Sequence, residues 1–179
     1  YVNAGGDGID SNGSIEMTGG VVLVDGPTMD GNGPLDYMGT FNISGGTLVA
    51  VGSLGMAQAS SDSSTQPAIF LGLNQAFSAS TLINLQNSSG QSLLTYAPSK
   101  QFQSVLISSP DLELGETYSI NTGGSSSGEI ENKLLKEAAG LLRSRKAALL
   151  VYQDSEGNEV GVFAEPLVHA AGPDRDRRQ

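Results

Sequence analysis

Cysteine and tryptophan are both absent from the 179 residues, and there is a single histidine, His169. Without cysteine, neither a disulfide nor a thiolate metal site can contribute, and the redox compartment stays open. One histidine in the C-terminal tail supplies no zinc motif and no Ser-His-Asp order, and no phosphate-binding loop is visible. Bases are nearly missing from the first two thirds. Residues 1–127 hold ten Asp/Glu against Lys100 alone, whereas residues 128–179 hold the other nine acids and the remaining eight Lys/Arg. The first part lacks the basic groups to neutralise a polyphosphate, so nucleic acid is a very poor partner for it. No apolar run approaches the roughly 20 residues that span a bilayer, so membrane insertion is not expected. There is no signal-peptide pattern and Tyr1 is not a start methionine, so the expectation is a piece of a mature or truncated product.

What is present is glycine, 24 residues of it, and a repeat. The stretch from Gly6 to Val24 returns 26 residues later: Asp10 falls on Asp36, Gly13 on Gly39, Ile15 on Phe41, Met17 on Ile43, and Gly19-Gly20 on Gly45-Gly46. A period of this length with strands and no helix inside predicts a β-solenoid. Strands are expected at residues 14–18, 21–24, 40–44 and 47–51, alternating apolar and polar positions. Ile15 should stack on Phe41 and Met17 on Ile43, about 4.8 Å apart. The Gly-Gly pairs read as sharp corners, with Val22, Val24, Leu48 and Ala50 continuing the inward row beyond them. Two coils are too few to stand alone. Either further coils precede Tyr1, or another element covers the open edge.

Three regions follow: solenoid coils over 1–57, a small antiparallel β sheet or sandwich over 58–124, and a linker, helix, hairpin and tail over 125–179. Residues 59–66 read as a loop or an exit from the solenoid. The middle region predicts short strands at 68–71, 81–85, 93–96, 104–107 and 117–120. Its expected core is Leu82, Leu85, Leu94, Tyr96, Val105, Ile107 and Tyr118. In the last region Ile130, Leu134, Leu135, Ala138, Leu141 and Leu142 share one helical face. A hairpin of residues 147–152 and 160–164 is predicted to follow, then a polar tail over 172–179.

Asp10 and Asp36 would lie one coil apart on the same outer turn. Two like charges so placed favour a bridging cation. An all-oxygen donor set selects calcium before magnesium. Asp7, Asn12, Asp25, Asp30 and Asn32 are further oxygen donors on such turns, although Asp and Asn also suit glycine-rich turns for their own sake. The run 7–12 resembles an EF-hand loop only faintly, lacking its closing Glu and flanking helices. Tyr37, beside Asp36, is a candidate for stacking on a sugar ring or for covering the corner of the coil. Glu16 and Asn42 are outward equivalents on a flat sheet, and with Tyr1 they complete the sugar-contact candidates. The coils contain no Arg, Lys or His, which argues against a lyase base. Paired carboxylates could serve a hydrolase instead, if calcium does not occupy them.

At the paired repeats, and again at Pro98-Ser-Lys-Gln-Phe-Gln-Ser-Val105 and Ser109-Pro-Asp-Leu…Gly115-Glu-Thr-Tyr118, the sequence resembles the bacterial carbohydrate-binding-domain proteins with a polysaccharide-lyase-like β-helix, found on or outside clostridial and related cells. The resemblance covers about residues 3–124. It implies a mainly β chain with a right-handed parallel β-helix, calcium, plant-type polysaccharide as ligand, a secreted or cell-surface location, and no established catalysis. Residues 129–179 depart from the family pattern. Three functions are weighed: a non-catalytic, calcium-binding polysaccharide-binding module; a structural or adhesive module with a protein partner; and part of a polysaccharide-degrading enzyme whose catalytic coils lie upstream. The open solenoid edge and residues 130–142 are the candidate surfaces for a protein partner or self-association.

Overall fold

The computed structural model describes residues 1–124, together with the backbone of three short strands further on. The chain is mainly β, with no helix among the described residues and no closed barrel. Its strands are β1 (Val2–Asn3), β2 (Ile9–Ser11), β3 (Ile15–Asp25), β4 (Leu35–Tyr37), β5 (Phe41–Gly52), β6 (Ala68–Phe77), β7 (Ile83–Asn87), β8 (Ser92–Tyr96), β9 (Phe102–Ser108), β10 (Tyr118–Thr122), β11 (Leu134–Leu135), β12 (Val151–Gln153) and β13 (Glu159–Gly161).

The repeat is built as it reads. β2 lies parallel to β4 with Asp10 opposite Asp36, and β3 lies parallel to β5 with Ile15 opposite Phe41 and Met17 opposite Ile43. Met17, Val24, Leu35, Phe41, Ile43, Leu48 and Ala50 form one buried cluster inside these stacked passages. The Gly-Gly pairs, however, do not end the strands. β3 and β5 run straight through them, and the irregularity is a slip in register that pairs Thr18 with Gly45. Gly20 and Gly46 take φ of 83° and 92°, so the strand twists locally without breaking.

The two glycines are not equivalent. A Cβ on Gly46 would lie 2.6 Å from the carbonyl carbon of Gly19 in the passage beneath, whereas one on Gly20 would meet open space. Gly20→Ala is therefore expected to cost only the left-handed penalty of about 1–2 kcal/mol. Gly46→Ala adds a backbone clash of about 1–3 kcal/mol. Urea midpoints compare the two; equal shifts would refute the close stacking at Gly46.

A third passage follows that the sequence pattern did not reveal. Ser53 N donates to Pro27 O, Tyr37 N to Gln58 Oε1 and Phe41 N to Ser61 Oγ, so the offset between passages shrinks from 26 residues to 21 and then 20. Chain is saved where residues 53–61 pass β4 without forming a strand like it. The third passage then enters β6, which runs in the direction of β5 with β9 inserted antiparallel between them. Leu48 and Ala68 both face Ser108, and Gly52 and Gly72 both face Ser104. Gly26, Gly52 and Gly72 thus close the same segment in three successive passages.

This insertion joins the first two regions. The five-stranded sheet β1-β3-β5-β9-β6 takes strands from both sides of residue 57, and β9 covers one edge of β5. Only β7, β8 and β10 form the expected antiparallel sheet among the fully described strands. That sheet packs across the outer row Leu23, Val49, Val51, Ile69 and Leu71 to make a second core with Ile83, Leu85, Leu94, Tyr96, Val105, Ile107, Tyr118 and Ile120. Ile83, not the half-buried Leu82, carries the inward position on β7. Gln66 stands at the fork where β9 enters. Its amide donates to Gly46 O at 2.8 Å and to Ser108 Oγ at 2.7 Å, satisfying groups that the parting strands leave unpaired.

β12 pairs with β10 and β13 with β12, in keeping with the hairpin read from residues 147–164. The amphipathic helix expected over 130–142 lies outside the described residues, save Leu134–Leu135, which form a short strand against β8. The tail, with His169, lies outside them too.

Candidate functional site

The outer turns were expected to gather carboxylates, and they do so only in part. Asp10 and Asp36 are direct neighbours across β2 and β4, the first exposed and the second half-buried. Asn12 is exposed on the following turn. Asp7 and Asp30 turn instead to the backbone of the next passage. Gly33 N donates to Asp7 Oδ1 at 2.8 Å and Gly55 N to Asp30 Oδ1 at 3.3 Å. They are a repeated structural device, a carboxylate fastening a glycine amide one passage along. The backbone carbonyl of Asn32 accepts from Ser53 Oγ at 2.6 Å.

Asp25 corrects the reading most sharply, because it lies on no outer turn. It ends β3 in the row that faces the second core, opposite Val51, and is 0 % exposed. Both oxygens are occupied. Tyr96 Oη donates to Oδ1 at 2.5 Å, while Tyr1 Oη, Ser99 N and Ser99 Oγ donate to Oδ2 at 2.7, 2.8 and 2.5 Å. Burial pushes this carboxyl up, but the hydrogen bonds from Ser99, Tyr96 and Tyr1 outweigh it and hold the group below its ordinary value. Burial, the bond to Asp25 and the Asp25 charge all raise the Tyr96 phenol. The six-residue calcium set does not converge as one site. Among the described residues, no group of three or more His, Asp or Glu could hold a metal ion. The pair Asp10–Asp36 is what remains of it.

The sugar-contact candidates divide similarly. Tyr37 is half-buried: its hydroxyl donates to Ala59 O at 2.5 Å and its ring meets Phe41 edge-on at 6.0 Å, so it covers a corner. Glu16 and Asn42 do share the outer face of the parallel strands. Asn42 Nδ2 donates to Glu16 Oε1 at 2.8 Å, and Ser63 Oγ of the third passage donates to Asn42 Oδ1. The result is a polar row crossing three passages, with Thr18 and Ser44 exposed alongside. The same two strands are covered by the second sheet farther along, at Leu23 and Val49, so the open face is their first half. Tyr1 is 60 % exposed but is drawn to Asp25 and Ser99, away from that row.

Residues 59–66, read as a loop or an exit from the solenoid, close the rim of this face together with Gln58. Gln58, Ser61 and Ser64 accept from the amides of Tyr37, Phe41 and Ile43, and Ser61 N and Gln66 N donate to Phe41 O and Ile43 O. A Ser- and Gln-rich run spaced to meet alternate strand residues was the available signal. It was hidden because the repeat offset changes there. Lys100, the sole base of residues 1–127, donates its Nζ to Ala4 O.

No family model matches the chain, and neither a curated protein nor a solved structure matches it.

Proposed function

We propose that this chain is a non-catalytic polysaccharide-binding module of the right-handed parallel β-helix type, belonging to a secreted or cell-surface bacterial protein. The observation that carries the reading is the open polar row Glu16–Asn42–Ser63, which presents amide, carboxylate and hydroxyl groups at the spacing of stacked strands. An extended polymer of hydroxyl-bearing rings meets such a surface with one set of donors and acceptors per passage. The sugar class itself rests on the resemblance at the paired repeats. The single base of the described coils and sheets is engaged with a backbone carbonyl, which favours binding over lyase chemistry.

Calcium enters this proposal at Asp10 and Asp36 alone, as a bridge between two carboxylates that would otherwise repel. Those two side chains fall short of the six to eight oxygens calcium takes, so water would complete the shell.

Affinity electrophoresis against cellulose and pectin tests the binding. Retardation of the intact protein is expected, lost in a Glu16→Ala/Asn42→Ala variant that melts normally. No retardation on any polymer would sink the reading. For the ion, calcium at about 100 times its Kd should raise stability by about 2.7 kcal/mol over a chelator-treated sample. Asp36→Asn should remove that rise; an unchanged midpoint would dismiss the bridge and leave the sugar reading standing.

A further inference from the structure

Across three successive passages, one core row reads Asp25, Val51 and Leu71, and the latter two are what the position demands. An aspartate stands there because three separate segments bring donors to it. Tyr1 comes from the N-terminal segment, Tyr96 from β8, and Ser99 from the turn before β9. In the same segment Val2 packs against the first core and Ala4 is buried. β1 pairs with β3 over two residues only, Val2 with Val24 and Asn3 with Asp25. Ala4 N then donates to Asp25 O at 2.8 Å, Asn3 Nδ2 to Ser99 Oγ at 3.2 Å, and Lys100 Nζ to Ala4 O.

We propose that residues 1–4 form a releasable strap across the outer edge of β3, and that the Asp25 carboxylate is its acid-sensitive catch. The carboxylate accepts from all four donors at once. A protonated carboxyl brings its own O–H among these groups and loses part of its accepting capacity, so a hydroxyl contact must reverse or open, and the charge that strengthens all four contacts is lost. The ionisable groups facing the catch are Tyr1, Tyr96 and Lys100. Burial and the Asp25 charge raise the Tyr96 phenol, and the Lys100 ammonium donates to Ala4 O. The depressed value of Asp25 agrees with a catch that stays closed until the pH falls below the ordinary aspartate range.

Release has a structural consequence. Among the described residues no strand pairs with the outer edge of β3 over residues 15–23, and the strap covers the last two positions. With the strap off, the described residues leave the whole edge of β3 without a partner strand, as a surface for addition of a further strand.

Amide exchange tests the catch in the intact protein, with the Ala4 amide compared with those of Val49 and Ile107 in the central strands. Taking the ratio cancels the intrinsic effect of pH. On acidification below the aspartate range, exchange at Ala4 relative to Val49 should rise at least about tenfold, which is local opening of about 1.4 kcal/mol. Asp25→Asn should raise the same ratio at neutral pH. If that variant does not fold, Tyr1→Phe, which removes one donor at an exposed position, should raise it in the same direction. A ratio that stays constant while all three amides speed up together would overturn the proposal, because Asp25 would then support the whole fold without a separable strap. An Ala4 amide unprotected at neutral pH would overturn it as well.

Discussion

Asp25→Asn is expected to lower the unfolding free energy by about 3 kcal/mol. Hydrogen bonds to a charged acceptor contribute about 1.5–3 kcal/mol each, and an amide at this place keeps one acceptor and turns an N–H pair towards donors. Tyr96→Phe removes the hydrogen bond to Oδ1 and should cost about 1.5–3 kcal/mol. The two losses should not add, since both variants break the same bond; a double-mutant cycle measures the difference. Asp25→Val/Tyr96→Phe should recover part of the Asp25→Val loss, because an apolar pair leaves fewer orphaned groups than either single change.

The sign of the pH dependence follows from the same contacts. Asp25 titrates lower in the folded chain than in the unfolded one, so its contribution is present above the ordinary aspartate value and is lost as pH falls through the depressed one. Tyr96 is raised, so its contribution holds below the ordinary tyrosine value and fades as pH rises beyond it. Urea titrations at a series of pH values should show the acid arm flattened in Asp25→Asn. A variant within about 0.5 kcal/mol of the parent, inside the range of an ordinary surface change, would refute the assignment of a buried, functioning carboxylate.

Val51→Asp should be more damaging than any change at Asp25, although it only moves the same residue one passage along the same row. Val51 is fully buried, and its strand neighbours on either side are Asp25 and Val105, with Leu71 beyond. A carboxylate there would lie in an apolar cluster and against another carboxylate. An unpaired buried charge costs at least about 3–5 kcal/mol, a large part of a domain's total stability. The expected result is loss of cooperative folding at neutral pH, while Val51→Ala still folds. Circular dichroism with a urea melt decides it. A folded Val51→Asp would mean that the row is not closed by the second sheet.

These two substitutions show where sequence reasoning reached and where it stopped. The register of Ile15 on Phe41 and of Asp10 on Asp36 was legible, because the offset is constant and each position repeats its character. The third passage was not, because shortening past β4 changed the offset to 20, and Phe70 and Leu71 no longer align by counting. The Gly-Gly pairs read as sharp corners, whereas Gly20 and Gly46 take positive φ within continuous strands, since the same conformation serves a corner or a bulge. Among the acids, chain position alone could not separate Asp10 from Asp7, Asp25 and Asp30. Asp7, Asp25 and Asp30 adjoin glycine and Asp10 lies two residues after Gly8, and what distinguishes them is which amide or hydroxyl another segment delivers.

By itself the sequence determined the β class, the pairing of the first two passages, and the scarcity of bases in residues 1–127. Each of these depends on local residue type and on a short, regular period. Only the tertiary structure decided that β9 enters between β5 and β6, that a second sheet closes the outer row, and that Asp25 is an interior carboxylate. Those outcomes depend on contacts between segments that are 40 to more than 70 residues apart, such as Gln66 with Ser108 and Asp25 with Tyr96 and Ser99. A donor's value to a buried charge is fixed by where the chain brings it, and no periodicity along the sequence encodes that.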